Sequence, residues 1–217
     1  MCGRFAMYSS FNAIKEYADI LNEIGQLDNN FNVAPGQIIP IVMQEHGKRI
    51  LEPVKWGFVP YWATDPKIGS RMINTRAETI AEKPSFKAAF RYRRCLIPAN
   101  GFFEWRKPDK QPFYISLKSR EIFTFAGIWE DWHHADGTSL RTCSIITTEP
   151  NEMMQEIHER MPVILTRKAE EKWLAQNDQK KLLNLLKPYD HNEMQMHPIS
   201  KAVNSYKNND SQLLKEI

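Results

Sequence analysis

Residues 112–147 read PFYISLKSREIFTFAGIWEDWHHADGTSLRTCSIIT. Three runs in this stretch, 112–117, 122–129 and 140–147, are rich in Phe, Ile, Thr and Trp, and Asp136–Gly137 marks a turn between the last two. That pattern is a series of short β-strands. Working outward, similar runs occur at 4–7, 38–43, 50–56, 94–97 and 162–165, with turn signals at Gly47 and Pro108–Asp109. Short strands at this spacing predict a largely antiparallel sheet that curls or closes. Helices are expected at 10–24, 83–90, 151–158, 167–175 and 179–186. In the first, Phe11, Ile14, Tyr17, Ala18 and Leu21 fall at helical spacing, Ser9 or Ser10 caps the start and Gly25 stands at the stop. Thr166 is the expected N-cap of the fourth. Residues 28–36, DNNFNVAPG, read as a structured loop ending in a Pro-Gly turn. The fold class is therefore α+β: one domain over 1–217, with a curled, barrel-like and largely antiparallel β-core, flanking helices, and residues 205–217 as a loosely held tail.

The chain has 217 residues, of which 42% are hydrophobic and 25% charged. This composition excludes a disordered or collagen-like chain. No apolar run approaches the roughly 18 residues of a membrane span. The start, MCGRFAMYSS, carries no apolar signal segment, so a cytoplasmic location is expected, nucleoid-associated if the chain binds DNA. Cys2, Cys95 and Cys143 are widely spaced and form no CxxC pair. Neither a disulfide framework nor a zinc site is expected, and no metal or cofactor is assigned. The net charge of +3 is too small to identify a nucleic-acid partner by itself.

Cys2 is the sharpest chemical feature. Met1 precedes a small residue, and its removal leaves Cys2 as the amino terminus. An N-terminal cysteine is a 1,2-aminothiol, whose amine ordinarily titrates near about 8 and whose thiol near about 8.5. It attacks an aldehyde twice, first as amine to give a Schiff base, then as sulfur to close a thiazolidine ring. Other polar residues stand out in apolar settings. Asn74 and Arg76 lie two apart and share a face if they are on a strand. Glu104 sits between Phe103 and Trp105, where desolvation raises a carboxyl pKa. His158 and Arg160 again share parity before Met161–Pro162. Each also has an ordinary structural reading: Glu104 as a hydrogen-bonded core group, His158 as a helix cap, Asn74 as a turn residue.

Six segments in order, MCGRF, NVAPG, WGFVPYW, INTRAET, LIPANGFFEW and IHERMPVIL, resemble the SRAP family, abasic-site processing proteins that crosslink themselves to single-stranded DNA. The likeness runs from residue 1 to about 204 and is nearest to bacterial and phage members. The resemblance implies Cys2 as nucleophile, Asn74 as the residue holding the amino terminus, Glu104 as the acid–base carboxylate and His158 as the catalytic histidine. It implies Arg4, Arg76 and Arg160 as basic positions around the DNA backbone, with Thr147 as a hydroxyl near the site. Trp62 is the expected stacking residue, because aromatic faces accept bases with little sequence preference. Asn100 departs from the family's usual Asp, at what reads as a tolerant turn. The implied partner is single-stranded DNA containing abasic sites, bound by a monomer, through Schiff-base, lyase-like chemistry. A cysteine peptidase that cleaves after Met1 and a non-catalytic single-strand binder remain as alternatives.

Overall fold

The structure is a computed structural model and describes residues 2–25 and 27–217. In chain order the elements are β1 (Phe5–Met7), α1 (Phe11–Ala18), β2 (Asn30–Val33), β3 (Ile38–Glu45), β4 (Lys48–Trp56), β5 (Asn74–Arg76), α2 (Pro84–Tyr92), β6 (Arg94–Ala99), β7 (Gly101–Trp105), β8 (Pro112–Leu117), β9 (Phe123–His133), β10 (Ser139–Thr148), α3 (Glu152–Gln155), β11 (Met161–Pro162), β12 (Ile164–Leu165), α4 (Arg167–Ala175), α5 (Gln179–Leu183) and β13 (Met194–Pro198). Five strands close on themselves in the order β10, β4, β3, β6, β9 and back to β10. One contact in this ring, β4 with β10, is parallel, and it closes the barrel. The mixed α/β single domain with a closed five-stranded core agrees with the expected class.

A second sheet, ordered β13, β8, β7, β1, β2, is antiparallel throughout. It packs on the barrel through aromatic edges. The Phe5 ring meets Trp56 at 5.3 Å and Phe125 at 5.8 Å, and Phe102 meets Phe125 at 6.1 Å. Burying rings of this size dominates the energetics of such a seam. Gly101 must be glycine, since a Cβ there would lie 2.3 Å from the Tyr114 ring.

Several expectations need correction. The first helix ends at Ala18, not residue 24. Asp19 adopts a left-handed φ of 53° and Ile20 bridges Arg49. Asn22 then exchanges two hydrogen bonds with the Leu51 backbone, so pairing along β4 overrides helical spacing. Residues 30–33, read as loop, form β2, because β1 offers them a partner edge. β7 and β13 are further strands that the pattern missed. Residues 205–217 are mostly exposed but anchored at several points, not loosely held. Leu213 is buried, the Phe31 N–H donates to Asn209 Oδ1 at 2.7 Å, and Glu216 bridges Ile199. Asn100 is a buried staple and not a tolerant turn position. Its Oδ1 accepts from the N–H groups of Tyr8 and Ser9, and its amide donates to Ser9 Oγ and the Glu121 carbonyl. No described helix is long and apolar enough to cross a membrane.

Candidate active site

β1 brings Cys2 to the seam between the second sheet and the barrel. The register Phe5 to Phe102 and Ala6 to Gly101, with Phe103 N–H bonded to the Arg4 carbonyl, carries Glu104 alongside the residues just before β1. Cys2 is fully buried, and its thiol points to the Arg4 carbonyl at 3.9 Å. Burial pushes that thiol well above its usual range, and the charge of Glu104 adds to the effect. Glu104 is 3% exposed, and burial pushes its carboxyl up to about 7. A carboxyl that titrates near neutrality thus lies within electrostatic reach of a thiol that resists ionising.

Asn74 reaches the same place from the barrel. β5 runs parallel to β10, pairing Asn74 with Ile145 and Arg76 with Thr147. The Trp56 indole N–H and the Ile145 N–H both donate to the Ile73 carbonyl, at 2.9 and 3.1 Å, and Thr75 Oγ1 bonds Ser144 Oγ at 2.9 Å. Asn74 Nδ2 donates to the Cys2 carbonyl at 2.8 Å. Its Oδ1 is buried and has no partner among the described residues.

His158 follows α3, and its N–H donates to the Met154 carbonyl at 2.8 Å. Its Nδ1 accepts the Arg160 N–H at 3.0 Å, so the neutral ring carries its proton on Nε2. Burial lowers its pKa. The adjacent Glu159 pairs with Lys107 of the β7–β8 connection at 3.2 Å.

The three arginines differ. Arg76 is exposed, at the end of β5. Arg160 is held by the protein's own groups: its guanidinium forks onto Glu78 at 2.8 and 2.9 Å and donates to the Thr147 carbonyl at 2.8 Å. Arg4 is half-buried and donates to Asn32 Oδ1 at 2.7 Å and the Val203 carbonyl at 2.9 Å. Thr147 is fully buried; its hydroxyl contacts the Thr75 carbonyl and Arg160. Sequence reasoning did not pair Glu78 with Arg160 or Asn32 with Arg4, partners 82 and 28 positions away along the chain.

Trp62 is 49% exposed, beside Tyr61 at 61%. The loop that presents them is fixed at its base. Val59 N–H donates to Thr142 Oγ1 at 2.9 Å and the Trp132 indole to the Ala63 carbonyl at 2.7 Å. Gly57, at φ +139°, lies against Gly69, where a Cβ would sit 2.9 Å from the Gly69 oxygen. A cleft of about 460 Å³ next to Trp62 is lined by Asp65, Lys67, Ser70 and Arg71 among others. Among the described residues, no three His, Cys, Asp or Glu side chains are placed to hold a metal ion, and Cys95 and Cys143 are free and buried.

A family model described as SOS response associated peptidase (SRAP) matches residues 1–206. The chain is 45% identical over 221 residues to the abasic site processing protein YoqW of Bacillus subtilis, covering 99% of both. It is 30% identical to the rat abasic site processing protein HMCES, over 99% of this chain and 75% of that one. A crystal structure of a protein from Bacteroides thetaiotaomicron superposes with a TM-score of 0.90 at 30% identity, covering all of both chains.

Proposed function

We infer function from the premise that this chain belongs to the SOS response associated peptidase (SRAP) family: it processes abasic sites in DNA, by forming a covalent link from Cys2 to the ring-opened deoxyribose in single-stranded DNA. Relatives named as abasic site processing proteins support the DNA-processing role. The observation that carries the covalent reading is the convergence on Cys2, whose carbonyl is held by Asn74 and whose thiol lies in the field of Glu104.

The reaction starts after loss of Met1. The freed Cys2 amine attacks the C1′ aldehyde, and the carbinolamine hydroxyl takes a proton from the Glu104 carboxyl and leaves as water to give an iminium. The thiol sulfur then bonds C1′, its proton passes to the Glu104 carboxylate, and the iminium nitrogen becomes the ring amine. The net change is loss of one water. Closure removes the iminium that would acidify C2′, so strand cleavage by β-elimination is suppressed. Asn74 Oδ1 accepts from the amine and holds its lone pair toward the aldehyde. His158, with its proton on Nε2, donates to the deoxyribose oxygen as the ring opens and when the crosslink reverses. Arg76 meets a phosphate as a fork and Trp62 stacks a base, worth about 1–3 kcal/mol. Arg4 presents the rest of its guanidinium to the lesion's phosphate.

The monomer does this in the cytoplasm, on nucleoid DNA. A self-directed peptidase step that removes Met1 is the second reading, favoured by the family's description as peptidases. The test is a gel assay with abasic single-stranded and duplex DNA. A band stable to SDS and heat is expected with single-stranded DNA, much weaker with duplex and absent for Cys2→Ala.

A further inference from the structure

We propose that Glu78 is a positioning residue that, through Arg160, fixes the His158 imidazole with its proton on Nε2. The assignment of His158 to the reaction rests on the functional reading above; the geometry of the relay does not.

Arg160 is clamped on three sides. Glu78 takes its guanidinium with both carboxylate oxygens, at 2.8 and 2.9 Å, and the Thr147 carbonyl takes it at 2.8 Å. Its main-chain N–H donates to His158 Nδ1 at 3.0 Å. A forked arginine–carboxylate pair has a fixed geometry, unlike a single-point lysine contact. With the side chain immobile, the main chain of Arg160 has little freedom, and its N–H stays aimed at the imidazole. The Arg160 side chain is only 14% exposed, so the clamp sits in a partly desolvated place, whereas Glu78 is 49% exposed. The Arg160 hydrogen bond holds the Glu78 carboxyl below its usual range, which keeps the pair intact into acidic solution.

Glu78 also occupies an informative place along the chain. It follows β5, whose first residue, Asn74, holds the Cys2 carbonyl. One five-residue stretch, 74–78, therefore registers both sides of the site: Cys2 through Asn74 and His158 through Glu78 and Arg160. Among the described residues, Glu159 and Lys107 also act on His158; they pair with each other at the surface, and neither contacts Nδ1. The charge of the amino terminus lowers the His158 pKa as well.

The test is long-range ¹H–¹⁵N NMR of the histidine rings in the full chain, with His158→Ala used to assign the signal. Wild type should show His158 almost wholly as the Nε2–H tautomer when neutral. Glu78→Ala should give a tautomer mixture, a loss in preference of roughly tenfold, about what one net hydrogen bond supports. Its titration midpoint should move as well, and Glu78→Asp should restore most of the wild-type pattern. Glu78→Gln, which retains one acceptor oxygen, serves if the alanine variant does not fold, and should lie between the two. An unchanged tautomer in Glu78→Ala, or in Glu78→Gln if that is the variant measured, overturns the proposal. A wild-type protein that forms no crosslink refutes the functional reading and leaves the tautomer result intact.

Discussion

The Asn74 side chain donates to the Cys2 carbonyl at 2.8 Å while its own Oδ1 stays buried and without a partner among the described residues. A buried acceptor left unpaired costs about 1–3 kcal/mol. The bond from Nδ2 fixes the amide's orientation, so Oδ1 is held ready for an N–H donor. The Cys2 amine, once free, is a donor of that kind.

Asn74→Ala removes both halves of this contact. Crosslinking should slow by about 10- to 100-fold, on the scale of a lost orienting hydrogen bond. Asn74→Asp keeps an acceptor but loses the donor, and should fall between the two. Single-turnover rates with an abasic oligonucleotide check the order.

Glu104 makes the protein's stability depend on pH. Its folded pKa of about 7 lies above its ordinary 4.5, so the folded state holds a proton that the unfolded state has released between those values. Stability therefore falls as pH rises from about 4.5 to 7. Glu104→Gln should be more stable than wild type at pH 8, by up to about 3 kcal/mol, and the gap should close below pH 5. Urea melts at both pH values measure it. Crosslinking should show the opposite trend: the wild-type rate rises through neutrality, and the Gln variant is slower and flatter, by at most the 10²–10⁴ of a lost acid–base group.

The two arginines near β5 should separate. Arg76→Ala should weaken single-strand binding for every sequence and reduce the salt slope by about one. Arg160→Ala should lower stability instead, because it leaves Glu78 and the Thr147 carbonyl unpaired. Binding titrations across salt, alongside thermal melts, distinguish the two outcomes.

Much of the fold was legible. Ser10 and Thr166 cap their helices as read, because capping is local chemistry: each side chain accepts from the backbone three residues on. The expected helix at 167–175 forms over those residues. What escaped was long-range. Barrel closure depends on Cys143 pairing in parallel with Trp56, and no periodicity encodes that. Arg4 shows the same limit within the site. It reads as a free cation in MCGRF, yet Asn32 and Val203 hold part of it. Residues 205–217 look polar and loop-like, while their anchors, such as the Asn32 amide and the Phe31 N–H, lie on a strand far away along the chain.

That tail is a clasp on β2, the strand that pairs with β1. Asn32 is fully buried and donates to the carbonyls of Val203, Ser205 and Asn208 while accepting from Arg4. Asn32→Ala should destabilise the fold by about 2–4 kcal/mol and slow crosslinking, because β1 loses its tie. A chain truncated after residue 204 should show the same pair of defects. A truncated chain that melts and reacts like wild type would contradict the clasp.

The central claim is that Cys2 closes a ring on the abasic sugar. Intact mass spectrometry of protein lacking Met1, incubated with abasic single-stranded DNA, tests it most directly. The predicted product has the summed mass of protein and DNA less one water, survives heat, and maps after digestion to the peptide that begins with Cys2. Cys2→Ala should give only a labile imine that heat removes. A heat-stable adduct of equal yield from Cys2→Ala, or an adduct that maps to another residue, would contradict the account.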